Sequence, residues 1–194
     1  MKKIWLVRHA ESTCQTGETD DSVNPELSDR GKQQARHLSY CFTDTKFDLV
    51  LISPLTRAWQ TFSLSGIKTR VSEFDSRLIE SDWGNDEKYR ARLPISTPKI
   101  AEPDRHEAWL LSDNDRITGL MEDLLEWDVE NILCVGHWGS LHHLFLSFIG
   151  ATTLENHFRA TLDNASVSLL EIDDIGVRCL RYWNDRSHVR DLLD

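Results

Sequence analysis

The chain has 194 residues, of which 22 are basic and 32 acidic, and its formal net charge at pH 7 is −10. This length indicates one domain over residues 1–194 that folds without a disulfide or a metal, and 40% hydrophobic residues exclude disorder along the whole chain. The negative charge argues against nucleic acid or an anionic membrane as the main partner, since both bind basic surfaces.

The first elements alternate between strand and helix. Ile4–Val7 is a short apolar run typical of a buried strand, and the polar residues 10–27 predict a long loop. Ser28 is a candidate N-cap for a helix whose apolar face contains Ala35, Leu38 and Phe42. Leu49–Ile52 predicts a second buried strand. Pro54 predicts the start of the next helix, because the first helical position needs no N–H.

The second half of the chain continues the alternation after an irregular segment. Residues 84–110 include a stretch rich in proline and charge without a clear period, and we expect an irregular cap there. An amphipathic helix is predicted by the apolar residues Ile117, Leu120, Met121, Leu124 and Leu125. Asn131–Val135 predicts a third buried strand, and a further helix face is formed by Leu141, Leu144, Phe145 and Phe148.

Two late strands are predicted near Ser166–Ile172 and Val177–Trp183. Strands that alternate with helices favour a three-layer α/β/α sandwich around a mainly parallel sheet.

The cysteines and the N-terminus indicate a reducing compartment. The four cysteines at 14, 41, 134 and 179 form no C-x-x-C pair, so we expect free thiols and neither a disulfide framework nor a zinc site. Only four apolar residues separate Lys3 from Arg8, fewer than the roughly 7–15 of a signal peptide. No segment reaches the ~18 apolar residues of a membrane helix. We therefore expect a cytoplasmic protein.

Three predicted strands end in side chains that bind anions. Arg8 and His9 follow the first strand, Arg57 lies shortly after the second, and His137 follows the third. Ligands of open α/β sheets bind at the carboxyl ends of the strands. Two guanidiniums match the oxygens of a phosphate or carboxylate, and an imidazole can attack phosphorus to form a phosphohistidine. The pattern predicts an anion site suited to phosphoryl transfer.

Six sequence blocks then resemble one known family. They are LVRHAES at 6–12, PELSDRGKQQA at 25–35, SPLTRAWQT at 53–61, RLIESDWGNDE at 77–87, VGHWGSL at 135–141 and DNASVSLLE at 163–171. The first resembles the Arg-His-Gly signature of the histidine phosphatase superfamily, the phosphoglycerate-mutase-like clan. All six occur in the family's order over nearly the whole chain, so the ordered set is far more specific than the Arg-His pair alone.

The resemblance implies a role for each matching residue. It implies that His9 is the nucleophile, that Arg8 and Arg57 clamp the phosphoryl oxygens, and that His137 closes the pocket. Glu80 occupies the proton donor's place in the family's L-x-E-x-x-F-G block. This acid suits the chemistry, because an alkoxide leaves poorly unless it is protonated. The implied route needs no cofactor and no metal.

Three further residues match positions near the family's site. Ser12 would contact the phosphate or form a turn, and Asn164 would approach the site or cap the turn before a strand. Gln15 takes the place of the family's usual Asn, which would lengthen or remove a contact with the substrate. Ala10 takes the place of the usual Gly, and its methyl group would be strained if the φ angle were positive.

The resemblance leaves alternatives for the activity. The short stretch from Glu80 to His137 favours a phosphatase over a phosphoglycerate-type phosphomutase. A phosphate-binding module with little turnover is the alternative outside enzymes, and Ala10 and Gln15 are the features that suggest it. The substrate would be a small phosphorylated molecule, such as a sugar phosphate, a phosphoglycerate or a nucleotide-related ester, or else a phosphoprotein. The oligomeric state does not follow from the sequence.

Overall fold

A six-stranded sheet forms the centre of the molecule. A computed structural model describes residues 1–21, 23–80, 113–151 and 159–192. The strands are β1 (Lys2–Arg8), β2 (Phe47–Ile52), β3 (Thr69–Phe74), β4 (Asn131–Gly136), β5 (Val167–Ile172) and β6 (Arg178–Asp185). Their order across the sheet is β3-β2-β4-β1-β5-β6.

The directions of these strands bring several chain segments to one edge of the sheet. Strand β4 pairs in parallel with β1 and with β2, and β2 pairs in parallel with β3. Strand β5 runs antiparallel to β1, and β6 runs antiparallel to β5. The carboxyl ends of β1, β2 and β4 therefore share an edge with the residues that precede β5. The prediction of a mainly parallel sheet is confirmed.

Helices cover both faces of the sheet. The described helices are α1 (Asp29–Cys41), α2 (Thr56–Ser65), α3 (Asp113–Glu126) and α4 (Trp138–Phe148). Strand β4 shows why both faces are apolar, since its side chains alternate between them. Ile132 and Cys134 pack in the cluster that includes the apolar residues of α3 and α4, whereas Leu133 and Val135 pack with residues of α1 and α2. The three-layer α/β/α architecture is confirmed.

Some local predictions differ from the structure. Helix α2 begins at Thr56 with Leu55 as its N-cap, so Pro54 lies before the helix and does not open it. The cause is a tight turn in which the Leu55 N–H donates to the Ser53 hydroxyl. Strand β3 was not predicted, because it is an edge strand with mostly exposed or half-buried side chains and no apolar run. The expected cap at 84–110 lies outside the described residues.

Three further sequence expectations concern a helix cap, the cysteines and membrane helices. Ser28 caps α1 as predicted, since its side chain accepts a hydrogen bond from the Gly31 N–H. All four cysteines are free thiols. Among the described residues, no helix has both the length and the apolar character needed to cross a bilayer.

The first turn of α1 packs directly on the loop that follows β1, and Gly31 makes this contact possible. A Cβ at Gly31 would lie 1.9 Å from the Glu11 carbonyl oxygen, a backbone atom that cannot move aside alone. We expect Gly31→Ala to lower the free energy of unfolding by about 1–3 kcal/mol, the usual cost of overpacking. Urea unfolding followed by circular dichroism measures the change.

Gly119→Ala is the matched control for this measurement. Gly119 lies within α3, and a Cβ there meets no atom within 4 Å. Alanine should stabilise that helix by roughly 0.5–1 kcal/mol, because glycine loses more conformational freedom on folding. Equal urea midpoints for Gly31→Ala and the unmodified protein would show that the backbone contact does not restrict this position.

Candidate active site

The shared edge of the sheet brings the predicted histidines and arginines together. Arg8 ends β1 and His9 follows it, Arg57 lies in the first turn of α2, and His137 precedes α4. The rings of His9 and His137 lie 5.0 Å apart between centroids. The Arg57 Nε donates a hydrogen bond of 3.2 Å to the His9 Nε2. Residues far apart in sequence therefore form one cationic pocket, as the strand ends predicted.

His9 is held in one tautomer. Its ring is 3% exposed, and Nδ1 lies 2.8 Å from the Ala10 carbonyl oxygen. Because a carbonyl only accepts, Nδ1 carries the proton and the lone pair is on Nε2. Burial, followed by the charges of Arg57 and Arg8, holds the pKa of His9 well below its usual value. The imidazole is therefore neutral at physiological pH, and its Nε2 lone pair accepts the Arg57 Nε–H.

The two guanidiniums are fixed by backbone carbonyls. Arg8 donates through Nη1 to the Leu162 carbonyl, and Arg57 donates through Nη1 to the Val23 carbonyl at 3.3 Å. Within the described part of the chain, the buried Nε of Arg8 has no hydrogen-bond partner. Burial lowers the pKa of Arg8, and the charges of Glu80 and Asp163 partly offset this effect. These are preorganised donors of the kind that stabilise a phosphoryl transition state.

His137 forms a further wall of the pocket. It is fully buried, and its Nε2 lies 2.7 Å from the hydroxyl of Ser53, which is also fully buried. Burial, followed by the charge of Arg57, holds the pKa of His137 well below its usual value. Its Nδ1 has no hydrogen-bond partner among the residues that the structure describes. Ser53 is a contact that sequence reasoning did not identify.

Glu80 approaches the pocket from the segment after β3. One of its carboxylate oxygens accepts a hydrogen bond of 2.8 Å from the Gly139 N–H, in the first turn of α4. Its charge also acts to raise the pKa of Arg8. The nearby Asp75 is fully buried and forms an ion pair with Arg77 at 2.7 Å. Of these two carboxylates, Glu80 is the one at the pocket.

A buried arginine fixes the backbone that carries Glu80. Arg116 of α3 is 1% exposed, and its Nη1 donates to the carbonyls of Arg77 and Ile79 at 3.1 and 3.0 Å. Its Nη2 donates to the Glu80 carbonyl at 3.3 Å. Arg116 was not predicted as a site residue, although a charged side chain directly before the apolar face of α3 was a visible signal.

The three peripheral residues bind one another. The N–H and hydroxyl of Ser12 donate to the Gln15 Oε1, at 3.0 and 3.2 Å. The Gln15 Nε2 donates to the Asn164 Oδ1 at 3.0 Å, and the Asn164 Nδ2 donates to the His9 carbonyl at 3.0 Å. This chain of amides braces the backbone at His9. A contact of these residues with substrate remains a prediction.

Ala10 does not strain the loop after His9. Its methyl group is fully buried in a small apolar cluster with Leu27, Ala35, Ala165 and Val189. Among the described residues, the non-glycine positions with positive φ are Ala165 and Asn184. The Ala10 N–H donates to the Thr61 hydroxyl at 2.9 Å. The methyl group therefore packs in the core, where it replaces the hydrogen of the family's usual Gly.

Residues 4–185 match the histidine phosphatase superfamily (branch 1). The chain belongs to this superfamily. Phosphoserine phosphatase 1 of Hydrogenobacter thermophilus is 28% identical to it over 189 residues, which cover 90% of this chain and 88% of the relative. The resemblance seen in the six sequence blocks is thus confirmed over nearly the whole chain.

Solved structures of superfamily proteins share the fold. The alpha-ribazole phosphatase from Shigella flexneri is 25% identical with a TM-score of 0.66, and the match covers 94% of this chain and 96% of that one. The phosphoserine phosphatase from Entamoeba histolytica, solved with 3-phosphoglyceric acid, is 22% identical with a TM-score of 0.68. That match covers 97% of this chain and all of the other.

The adjacent histidines after the pocket have structural contacts. In this superfamily member, the ring of His142 stacks on Trp138 with centroids 5.4 Å apart, and its Nδ1 accepts a hydrogen bond from the Ala160 N–H. The described residues contain no group of three or more His, Cys, Asp or Glu side chains arranged to hold a metal ion.

Proposed function

We propose that this chain is a phosphomonoester hydrolase that works through a phosphohistidine on His9. The observation that carries the proposal is the state of His9, a buried neutral imidazole whose Nε2 lone pair lies 3.2 Å from a guanidinium nitrogen of Arg57. The arrangement supports the proposal, because a guanidinium that could bind a phosphoryl group lies next to an imidazole that could attack it.

In the proposed first step, the Arg57 Nε–H moves its hydrogen bond from the His9 Nε2 to a phosphoryl oxygen, and the freed Nε2 lone pair attacks phosphorus. The bond from phosphorus to the ester oxygen breaks, and the leaving oxygen takes a proton from the carboxyl of Glu80. Arg8 and Arg57 stabilise the charge on the non-bridging oxygens, and His137 completes the pocket. The products are the free alcohol and a phosphoryl group on His9.

In the second step, water attacks the phosphohistidine. The Glu80 carboxylate accepts a proton from this water, the phosphorus–nitrogen bond breaks, and its electron pair returns to Nε2 of His9. Inorganic phosphate leaves and Glu80 is again protonated, so the cycle closes without another reactant.

The substrate class is proposed from the relatives. Those described above are named phosphoserine phosphatase and alpha-ribazole phosphatase, and one was solved with 3-phosphoglyceric acid. These names support hydrolysis over mutase chemistry, in agreement with the short stretch between Glu80 and His137. We propose a small phosphorylated metabolite as the substrate.

Activity should not depend on a divalent metal, because two guanidiniums supply the charge that metal ions supply in other phosphatases. We expect p-nitrophenyl phosphate hydrolysis to stay within about twofold after exhaustive EDTA treatment. A His9→Ala sample purified in parallel measures any contaminating phosphatase. Loss of activity that added metal restores would contradict the metal-free route, and no activity in any condition would indicate a binding module.

A further inference from the structure

Ser53 contacts the Nε2 nitrogen of the His137 imidazole. Its hydroxyl oxygen lies 2.7 Å from the His137 Nε2, and both side chains are fully buried. Ser53 is itself held in place, since its N–H donates to the Val135 carbonyl at 2.9 Å. Its hydroxyl oxygen also accepts the Leu55 N–H at 3.4 Å.

The protons at this contact can be assigned by elimination. If the His137 Nε2 carried a proton and donated it, the Ser53 oxygen would accept two hydrogen bonds. Its own proton would then have no acceptor among the described residues, and a buried hydroxyl without an acceptor is unfavourable. If Ser53 donates to Nε2 instead, the Ser53 hydroxyl and Nε2 are both satisfied, and the hydrogen of the neutral ring is on Nδ1, the one group at this contact left without a partner among the described residues.

The other side of the ring supports the same assignment. Nδ1 of His137 is buried without a hydrogen-bond partner in the described part of the chain, and the ring that carries it lies 5.0 Å from the His9 ring between centroids. A lone pair at this position would repel the oxygens of a phosphoryl group, whereas an N–H would donate to one of them. The Nδ1–H of His137 thus has no acceptor among the described residues, and a phosphoryl oxygen of the substrate would be one.

We propose that Ser53 is a positioning residue that holds His137 in its Nδ1–H tautomer, so that a neutral ring donates a hydrogen bond to the phosphoryl oxygen. The identity of that acceptor rests on the proposed function. The tautomer itself rests on the contacts alone. A neutral donor at this wall also adds no further positive charge next to His9, whose Nε2 must stay unprotonated to attack.

NMR of protein labelled with 15N in its histidine rings tests the proposal without turnover. The His137 signals are assigned by their loss in His137→Gln. In the unmodified protein we expect Nδ1 to be protonated and Nε2 to be an unprotonated acceptor. The opposite pattern would overturn the proposal without recourse to any variant of Ser53.

Two variants of Ser53 separate the hydroxyl from simple packing. Ser53→Ala should shift the ring toward the Nε2–H tautomer and weaken the binding of inorganic phosphate about tenfold, whereas Ser53→Thr should retain both properties. Ser65→Ala is the matched control, because Ser65 is also buried but its hydroxyl donates to the Phe62 carbonyl in α2.

The outcomes distinguish this proposal from the proposed function. An unchanged tautomer in Ser53→Ala, or an equal change in Ser65→Ala, would overturn the role of Ser53 even in an active phosphatase. The expected tautomer in a protein without phosphatase activity would leave the role of Ser53 intact and contradict the proposed function instead.

Discussion

His9→Ala should abolish turnover, with kcat for p-nitrophenyl phosphate lowered by roughly 10⁴-fold or more. The reason is that the proposed covalent route has no other nucleophile, and water attacks phosphorus directly only in a slow background reaction. Initial rates measured at saturating substrate give the loss. Circular dichroism and a thermal melt show whether the variant keeps its fold.

The same prediction specifies where the phosphoryl group attaches. Since the His9 Nδ1 donates its proton to the Ala10 carbonyl, the phosphoryl group should form on Nε2. Rapid quenching of a reaction with a 32P-labelled substrate should trap protein-bound phosphate that is stable to base and labile to acid. Digestion and comparison with the two phosphohistidine isomers identify the nitrogen.

His143→Ala is the matched control, since His143 lies on α4, one position after the stacked His142, and no role in the pocket is proposed for it. It should keep wild-type turnover and the trapped phosphate. A folded His9→Ala variant with wild-type turnover would show that His9 is not the nucleophile. Phosphate trapped on Nδ1 would show that the His9 ring flips and exchanges its two nitrogens before it reacts.

Glu80→Gln should slow the first step by about 10²–10⁴-fold for an alkyl phosphate ester and only mildly for p-nitrophenyl phosphate. An alkoxide needs a proton as it leaves, whereas p-nitrophenolate leaves without one. Glutamine keeps an oxygen that can accept the Gly139 N–H, so the local structure should survive. The pre-steady-state burst isolates this step, because Glu80 also acts as the proposed base in the second.

Glu73→Gln provides the control, because Glu73 belongs to β3 at the far edge of the sheet. It should leave both bursts unchanged. An equal loss for the two leaving groups in Glu80→Gln would contradict acid catalysis by Glu80.

Sequence patterns were sufficient to predict the elements that depend on a local run of apolar residues. Strands β1, β2 and β4 were found because their apolar runs are buried on both faces, and the Arg and His residues after them follow from the strand ends. Edge strand β3 has no such run, and the helix start after Pro54 depends on a side-chain contact within the turn.

The missing parts of the site depend on contacts across the chain. Ser53 and His137 are 84 residues apart, and Arg116 is 36 residues from Glu80. No periodicity links such pairs, and their roles appear only when the fold brings them together. The pairing of Gln15 with Asn164 is hidden for the same reason, since 149 residues separate them.

The brace on His9 links activity to the integrity of the whole domain. The His9 carbonyl accepts a hydrogen bond from Asn164, 155 residues later in the chain, and Arg8 is held by the Leu162 carbonyl, 154 residues away. Closing such long loops is slow and comes only with the global transition. A nascent or cleaved chain that contains the first strand but lacks the segment before β5 therefore has its nucleophile without its support. Recovery of phosphatase activity would then serve as a reporter that the segment before β5 has docked on the end of β1.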